Sequence, residues 1–270
     1  MLEEIYTTES FERYPVYPDV RALPQLPSLE EALDQQAGLP AGSLLLGVCE
    51  DGLPLVLDLT DPSSGAFLIA GDSGFDSSAL LHSILTAAHK GNRTKDVVLH
   101  LISPHADDLL YFHQMPNFKI SYEPHRPEIR IVLEEMVNLV IKRQRTKERL
   151  PAHLLAIDGL DLLKQSLDAQ SKLRLDWLIR EGPQVGLWIF ATIEATYIAE
   201  QMTPTLELFS SRILGRISQP NLASYLSGLS RSYLSDLYPG MEFFVRTSGQ
   251  SFNIWMLQSE DLLALRSDEF

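Results

Sequence analysis

The chain has 270 residues, 45% of them hydrophobic and 21% charged, which suffices for one large core and argues against disorder. Acidic residues outnumber basic ones 36 to 22, and the resulting net charge of −14 disfavours a duplex DNA binder while leaving a local basic patch open. The single cysteine, Cys49, excludes an internal disulfide, fits a reducing compartment, and is expected to be a small buried hydrophobe. Met1-Leu2-Glu3-Glu4 has neither a basic nor an apolar leader region, and no apolar run approaches the ~20 residues of a membrane span. The expectation is a soluble, cytoplasmic protein.

Residues 1–40 form a distinct N-terminal arm, with Tyr6, Tyr14 and Tyr17 among Pro15, Pro18, Pro24 and Pro27. Proline fixes φ and removes a donor, so the arm is expected to be extended, packing on a neighbouring subunit or folding back on its own domain. Ser28-Leu29-Glu30-Glu31 has the spacing of a capping box and predicts a short helix to about Gln36. A domain is expected over 41–262, with a tail at 263–270. It opens with a hairpin over Leu44–Leu59, turning at Asp51-Gly52, a type I′ pair. A strand follows from Ala66, then a loop, then a helix from about Ser77 to His89.

Val97–Ile102 is an uninterrupted apolar run, as in a strand buried on both faces. A short helix is expected over Asp107–Phe112 and a long one over Ile129–Arg149. The cluster from Lys142 to Arg149 suits a helix C-terminus and is expected to be a solvated face. His153–Asp158 and Gly186–Thr192 are further buried strands, separated by a helix over Ser171–Glu181. A strand over Ser211–Ser218, short helices at Leu222–Leu226 and Ser232–Leu237, and a hairpin of Met241–Val245 with Phe252–Leu257 complete the pattern. Alternating strands and helices predict a three-layer α/β/α domain with a mostly parallel sheet and a terminal β-hairpin. His100, His105 and His113, with Asp107 and Asp108 between, are expected to be surface residues rather than a metal site. Trp177, Trp188 and Trp255 are expected in or beside the core.

Gly71-Asp72-Ser73-Gly74-Phe75-Asp76-Ser77-Ser78 follows the third strand and opens a helix. That is the layout of a phosphate loop, in which Gly, four residues, Gly, Lys and Ser or Thr cradle phosphates with backbone N–H groups. Gly71 and Ser78 occupy their places. Asp76 replaces the second glycine, and Ser77 replaces the lysine that reaches the phosphates. The loop gains two carboxylates and loses a cation. A like charge ~4 Å away costs about 1 kcal/mol in water and about 4 kcal/mol at an effective dielectric of 20. The glycines and Ser78 are equally compatible with a plain strand-to-helix turn in any doubly wound domain.

The order of landmarks from about residue 44 to 258 resembles the FtsK/SpoIIIE and HerA superfamily of RecA-like motor ATPases, EccC-like proteins included. The matching segments are Gly47–Gly52 with Val56–Leu59, the loop at Gly71, and Leu99–Pro104 with Tyr111 and Pro116. Leu154–Asp158 follows as Walker B, then Phe190–Thr192 as the sensor strand, Arg212–Ser218, and Gly240-Met241. The resemblance implies that Asp158 stands where the Mg²⁺-supporting aspartate sits. The next position, normally the water-activating glutamate, is Gly159, and Asp161 lies at the wrong spacing to replace it. The family's Asp-Ser-Arg segment aligns with Leu222-Ala223-Ser224, leaving Arg216 or Arg231 as substitutes.

These departures imply a pseudo-ATPase: no catalytic residues, no resident metal, and a degenerate site formed by Gly71 to Ser78 with Asp158. Weak binding of ATP and Mg²⁺ without hydrolysis stays open. Such motors form rings, so the expected partners are protein subunits, in a homo-oligomer or a hetero-oligomer with active relatives. Two alternatives stand beside this reading. One is an ATP-dependent DNA translocase with rearranged residues, for which Lys90 and Lys95 are the nearest downstream lysines. The other is a nucleotide-independent interaction module.

Overall fold

The computed structural model describes residues 24–35, 40–93, 95–105, 110–198, 202–230 and 233–259. Tyr6, Tyr14, Tyr17, Asp107, Asp108, Arg231 and the expected tail lie outside these residues. The elements are α1 (Leu29–Gln35), β1 (Ser43–Cys49), β2 (Pro54–Asp58), β3 (Phe67–Gly71), α2 (Gly74–Gly91), β4 (Val97–Ile102), α3 (Leu110–His113) and β5 (Phe118–Tyr122). They continue with α4 (Glu128–Thr146), β6 (Ala152–Ile157), α5 (Leu160–Ser166), α6 (Ala169–Glu181), β7 (Leu187–Glu194) and α7 (Thr203–Leu206). The last are β8 (Ser211–Leu214), α8 (Pro220–Ser227), β9 (Glu242–Thr247) and β10 (Gln250–Trp255).

All ten strands form one sheet in the order β2-β1-β10-β9-β8-β3-β7-β6-β4-β5. The six from β8 to β5 are parallel; β9, β10, β1 and β2 continue the sheet antiparallel. The continuous apolar runs have the reason expected of them, since each central strand is covered on both faces. Along β3, Phe67 and Ile69 face a layer containing α1 and α2, whereas Leu68 and Ala70 face one containing α4, α5 and α6. Along β7 the division repeats, with Trp188 and Phe190 on the first side and Leu187, Ile189 and Ala191 on the second. Phe67 and Phe190 stack with centroids 4.8 Å apart. Helix α2 buries Leu80, Leu81, Ile84 and Leu85 completely, each contributing about 1.5–3 kcal/mol.

Helix α1 folds back onto this domain. Its capping box is formed: Ser28 N–H donates to Glu31 Oε2 at 3.0 Å, and Glu31 N–H to Ser28 Oγ at 3.1 Å. Leu29 and Ala32 are buried in the core shared with α2, and Leu29 N–H donates to the Gln258 carbonyl at 3.0 Å.

Several local expectations are corrected. Asp51-Gly52 is not a type I′ turn, because only Gly52 of the two has positive φ, at 84°. Cys49 N–H closes on the Leu53 carbonyl, spanning a longer loop. The two-residue turn with both φ positive is Ser248-Gly249, between β9 and β10. Strand β5 and helix α5 have no counterpart in the sequence reading. Cys49 is half-buried rather than buried, its thiol pushed upward by partial burial and by Asp51 and Glu50. Arg143, assigned to a solvated face, is only 4% exposed. Its guanidinium donates to the carbonyls of Arg149, Val185, Gly186 and Pro151, tying the end of α4 to the start of β6 and the turn before β7.

His100 is also buried, 3% exposed in the expected strand β4, where a surface side chain was expected. Its Nε2 lies 3.1 Å from Nδ1 of His153 in β6, and the two rings stack. Burial, and more weakly Lys119, brings His100 down to about 4; burial, then His100 and Arg143, brings His153 down to about 3. An unfolded histidine titrates near 6.5, so between these values the unfolded chain binds more protons. The penalty on the folded state is absent above about 6.5 and grows as pH falls towards 4. Denaturant midpoints measured across pH 7 to 4 are expected to fall, and His153→Gln is expected to flatten that fall by roughly 1 kcal/mol per pH unit. Identical slopes in both proteins would remove the pair as a cause.

Candidate functional site

The expected site lies at the C-terminal edge of the parallel strands, where β3 passes into α2. Ligands of open α/β sheets bind at that edge. A phosphate loop lies between its strand and its helix. Here only Asp72 and Ser73 separate Gly71 from the helix, whose first residue is Gly74. The helix expected from Ser77 therefore starts three residues earlier, and Gly74, Phe75, Asp76, Ser77 and Ser78 are all helical.

The cause is local. Ser73 adopts an extended conformation, φ −109° and ψ 120°, and its Oγ accepts from Asp76 N–H at 3.4 Å. Ser73 is thus an N-cap, which stabilises a helix by about 0.5–2 kcal/mol relative to alanine. The Ser77 N–H and hydroxyl both turn to the Ser73 carbonyl, at 3.4 and 3.5 Å. Ser77 is fully buried, so the position of the missing lysine faces packed protein.

Carboxylates surround this helix start. Asp72 N–H donates to the Arg216 carbonyl at 2.8 Å, and Asp72 Oδ2 accepts from Ser218 N–H at 2.7 Å, pinning β3 to the segment after β8. Asp76 lies against the turn before β9, where a Cβ on Gly240 would sit 2.7 Å from its Oδ1. Glu194, at the end of β7, holds Oε2 3.3 Å from where a Cβ on Gly74 would stand, and its Oε1 accepts from the Thr196 hydroxyl. Asp72 and Asp76 complement the positive end of the α2 dipole from within the chain.

Asp158 follows β6 and is 4% exposed. Its Oδ1 accepts from Ser78 Oγ at 2.5 Å and Thr192 Oγ at 2.9 Å; its Oδ2 accepts from Ser103 Oγ at 3.1 Å. Three hydroxyls thus satisfy one buried carboxylate. Ser103 and Thr192 were not identified as site residues from the sequence, although both end or follow apolar strand runs at this edge. Ser78 and Asp158 are the oxygen ligands that would support Mg²⁺ beside a nucleotide, and here they bond each other. The phosphate side does not match them, since only Asp72 and Ser73 lie between strand and helix and Ser77 stands at the lysine position.

Gly159, at the glutamate position, has φ 84° and begins α5, with its N–H on Thr192 Oγ at 2.8 Å. Asp161 sits in the first turn of that helix. Lys90, in the last turn of α2, forms an ion pair with Glu30 at 2.5 Å, and thirteen helical residues from Ser77 place it about 20 Å away. Of the substitute arginines, Arg216 adjoins the loop through its carbonyl. Among the described residues no group of three or more His, Cys, Asp or Glu could hold a metal ion, and no helix is long and apolar enough to cross a membrane.

No protein-family model and no curated protein matches the sequence. Solved structures do share the architecture. EssC (ATPases 2 and 3) from Geobacillus thermodenitrificans superposes with a TM-score of 0.68 at 17% identity, over 88% of this chain and 45% of that one. The conjugation coupling protein TcpA of pCW3 gives 0.65 at 16% identity, over 88% and 73%. The cytoplasmic domain of EssC gives 0.65 at 15%, over 88% of this chain and 48% of the other. The chain spans about half of that EssC domain and 29% of the cytoplasmic domain of Thermomonospora curvata EccC. At these identities the likeness is one of fold: this is the RecA-like P-loop fold of FtsK/HerA-type ATPases.

Restoring the motif is expected to damage the protein. Gly159→Glu places a side chain at positive φ with its Cβ 3.1 Å from Leu162 Cδ1, a strain of about 1–3 kcal/mol. Ser77→Lys overpacks a closed site by a similar amount. Denaturant midpoints should fall for both variants, and an unchanged midpoint for Ser77→Lys would mean that the loop opens readily.

Proposed function

We propose that this domain is a non-hydrolysing member of the FtsK/HerA-type fold, acting as a structural or regulatory subunit of an oligomeric assembly. The observation that carries the proposal is the helical start of α2. Five of the eight phosphate-loop positions are wound into it, and the N–H groups of Asp76 and Ser77 are bonded to Ser73. The chain's own Asp72 and Asp76 add negative charge where a triphosphate would sit. An anion ~4 Å from either would meet repulsion of about 1–4 kcal/mol, depending on solvent access.

The solved neighbours support the setting. The EssC and EccC structures hold ATPases 2 and 3, which supports a place for this domain beside other ATPase modules. The EccC structure is a complex with a signal sequence peptide, which supports protein partners for this fold. The EssC match is a cytoplasmic domain, consistent with a cytoplasmic location here. DNA translocation is disfavoured by the net charge of −14 and by the distance of Lys90 from the loop.

Calorimetric titration with ATP and Mg²⁺, with released phosphate assayed in the same sample, tests this reading. No turnover is expected, and binding no tighter than the millimolar range. Turnover that Asp158→Asn abolishes would refute the proposal. Light scattering, alone and with an active relative, is expected to show an oligomer.

A further inference from the structure

A second feature lies at the opposite end of β3. Strands β8 and β9 are antiparallel and set Arg212 directly across from Arg246. Like charges in that position destabilise a sheet. Both side chains turn to the C-terminus of α8. Arg212 Nη1 donates to the carbonyls of Tyr225 at 3.1 Å and Leu226 at 2.7 Å, and Arg246 Nη1 donates to the Ser227 carbonyl at 2.9 Å. The negative end of a helix dipole amounts to about half a charge, which offsets only part of two full positive ones. Among the described residues no carboxylate lies within ion-pair distance of either guanidinium. Glu207 attracts Arg212 weakly, less than Arg246 repels it.

Each guanidinium carries five N–H donors, and these contacts use only one amino group of each. Both arginines line a cavity of about 350 Å³ together with Tyr225, Ser63, Ser210 and Ser248. The Arg212 guanidinium lies over the Tyr225 ring, 5.7 Å from its centroid, which fixes its plane. Acids outnumber bases 36 to 22 in this chain, so an arginine pair without an acidic partner runs against the composition.

We propose that this pocket is an anion site for the phosphoryl group of a small phosphorylated molecule, held between Arg212 and Arg246. Two guanidiniums match a dianion better than a single carboxylate, and planar forks suit the oxygens of phosphate. Serine hydroxyls around the pair supply further donors. The cavity is at the small end of the range for small-molecule sites, and the net charge opposes a polyanionic nucleic acid. The site is separate from the helix start at Gly74, and its occupancy does not depend on the role proposed for that region.

Titration of the full chain with inorganic phosphate and with pyrophosphate at low salt, read by calorimetry and by arginine Nε–H NMR signals, tests the proposal. Saturable binding is expected, weakened at least tenfold by Arg246→Gln, whose exposed side chain leaves the fold intact. Ser210→Asp, which adds a carboxylate and keeps both arginines, is expected to weaken binding at least tenfold as well. Absence of saturable binding would overturn the site. So would an affinity in both variants equal to that of the unaltered chain, which would move any bound anion elsewhere, the start of α2 included.

Discussion

The burial of α2 from its first turn is the constraint on which the rest depends. Ser77 has no solvent-exposed surface, and Leu80, Leu81, Ile84 and Leu85 are sealed between the sheet and α1. A helix held so firmly has one place to begin, and Ser73 supplies the cap there. With β3 ending at Gly71, two residues are left for the connection. A loop that must wrap a phosphate needs more chain than that. Ser77 therefore stands in the first helical turn, over the stretch that the sequence resemblance assigns to a phosphate loop.

The edge of the sheet has been refilled with the chain's own polar groups. Asp72 joins the end of β3 to the segment after β8, Asp76 packs against the turn at Gly240, and Ser78, Ser103 and Thr192 converge on Asp158. The three hydroxyl bonds to Asp158 satisfy a carboxylate that burial would otherwise penalise by about 1–3 kcal/mol. The arrangement closes this edge of the sheet with bonds made within the chain.

Most of the fold was legible because the central strands are buried on both faces and so spell continuous apolar runs, as in Val97–Ile102 and Leu187–Glu194. Edges and polar interiors were less legible. β5 pairs on one side only, and its Phe118–Tyr122 run mixes apolar and polar residues. The burial of Arg143 and His100 depends on carbonyls and a histidine brought from elsewhere in the fold, and nothing in their local sequence marks it. The start of α2 is a different case. Ser73 and Asp76 stand at the spacing of a capping box, the same signal that located α1 through Ser28 and Glu31. A phosphate-loop pattern starts the helix at Ser77, whereas this capping signal starts it at Gly74. Only half of the box forms, because the Asp76 carboxylate turns to Gly240 and does not return to the cap.

Hydrogen exchange at the amides of Asp76 and Ser77, with and without ATP and Mg²⁺, addresses the central claim most directly. Both amides are bonded to Ser73 in the nucleotide-free protein, so the account predicts slow exchange that nucleotide leaves unchanged. Fast exchange that becomes slow only when ATP and Mg²⁺ are added would contradict it, since that is the behaviour of an open loop closing on phosphates.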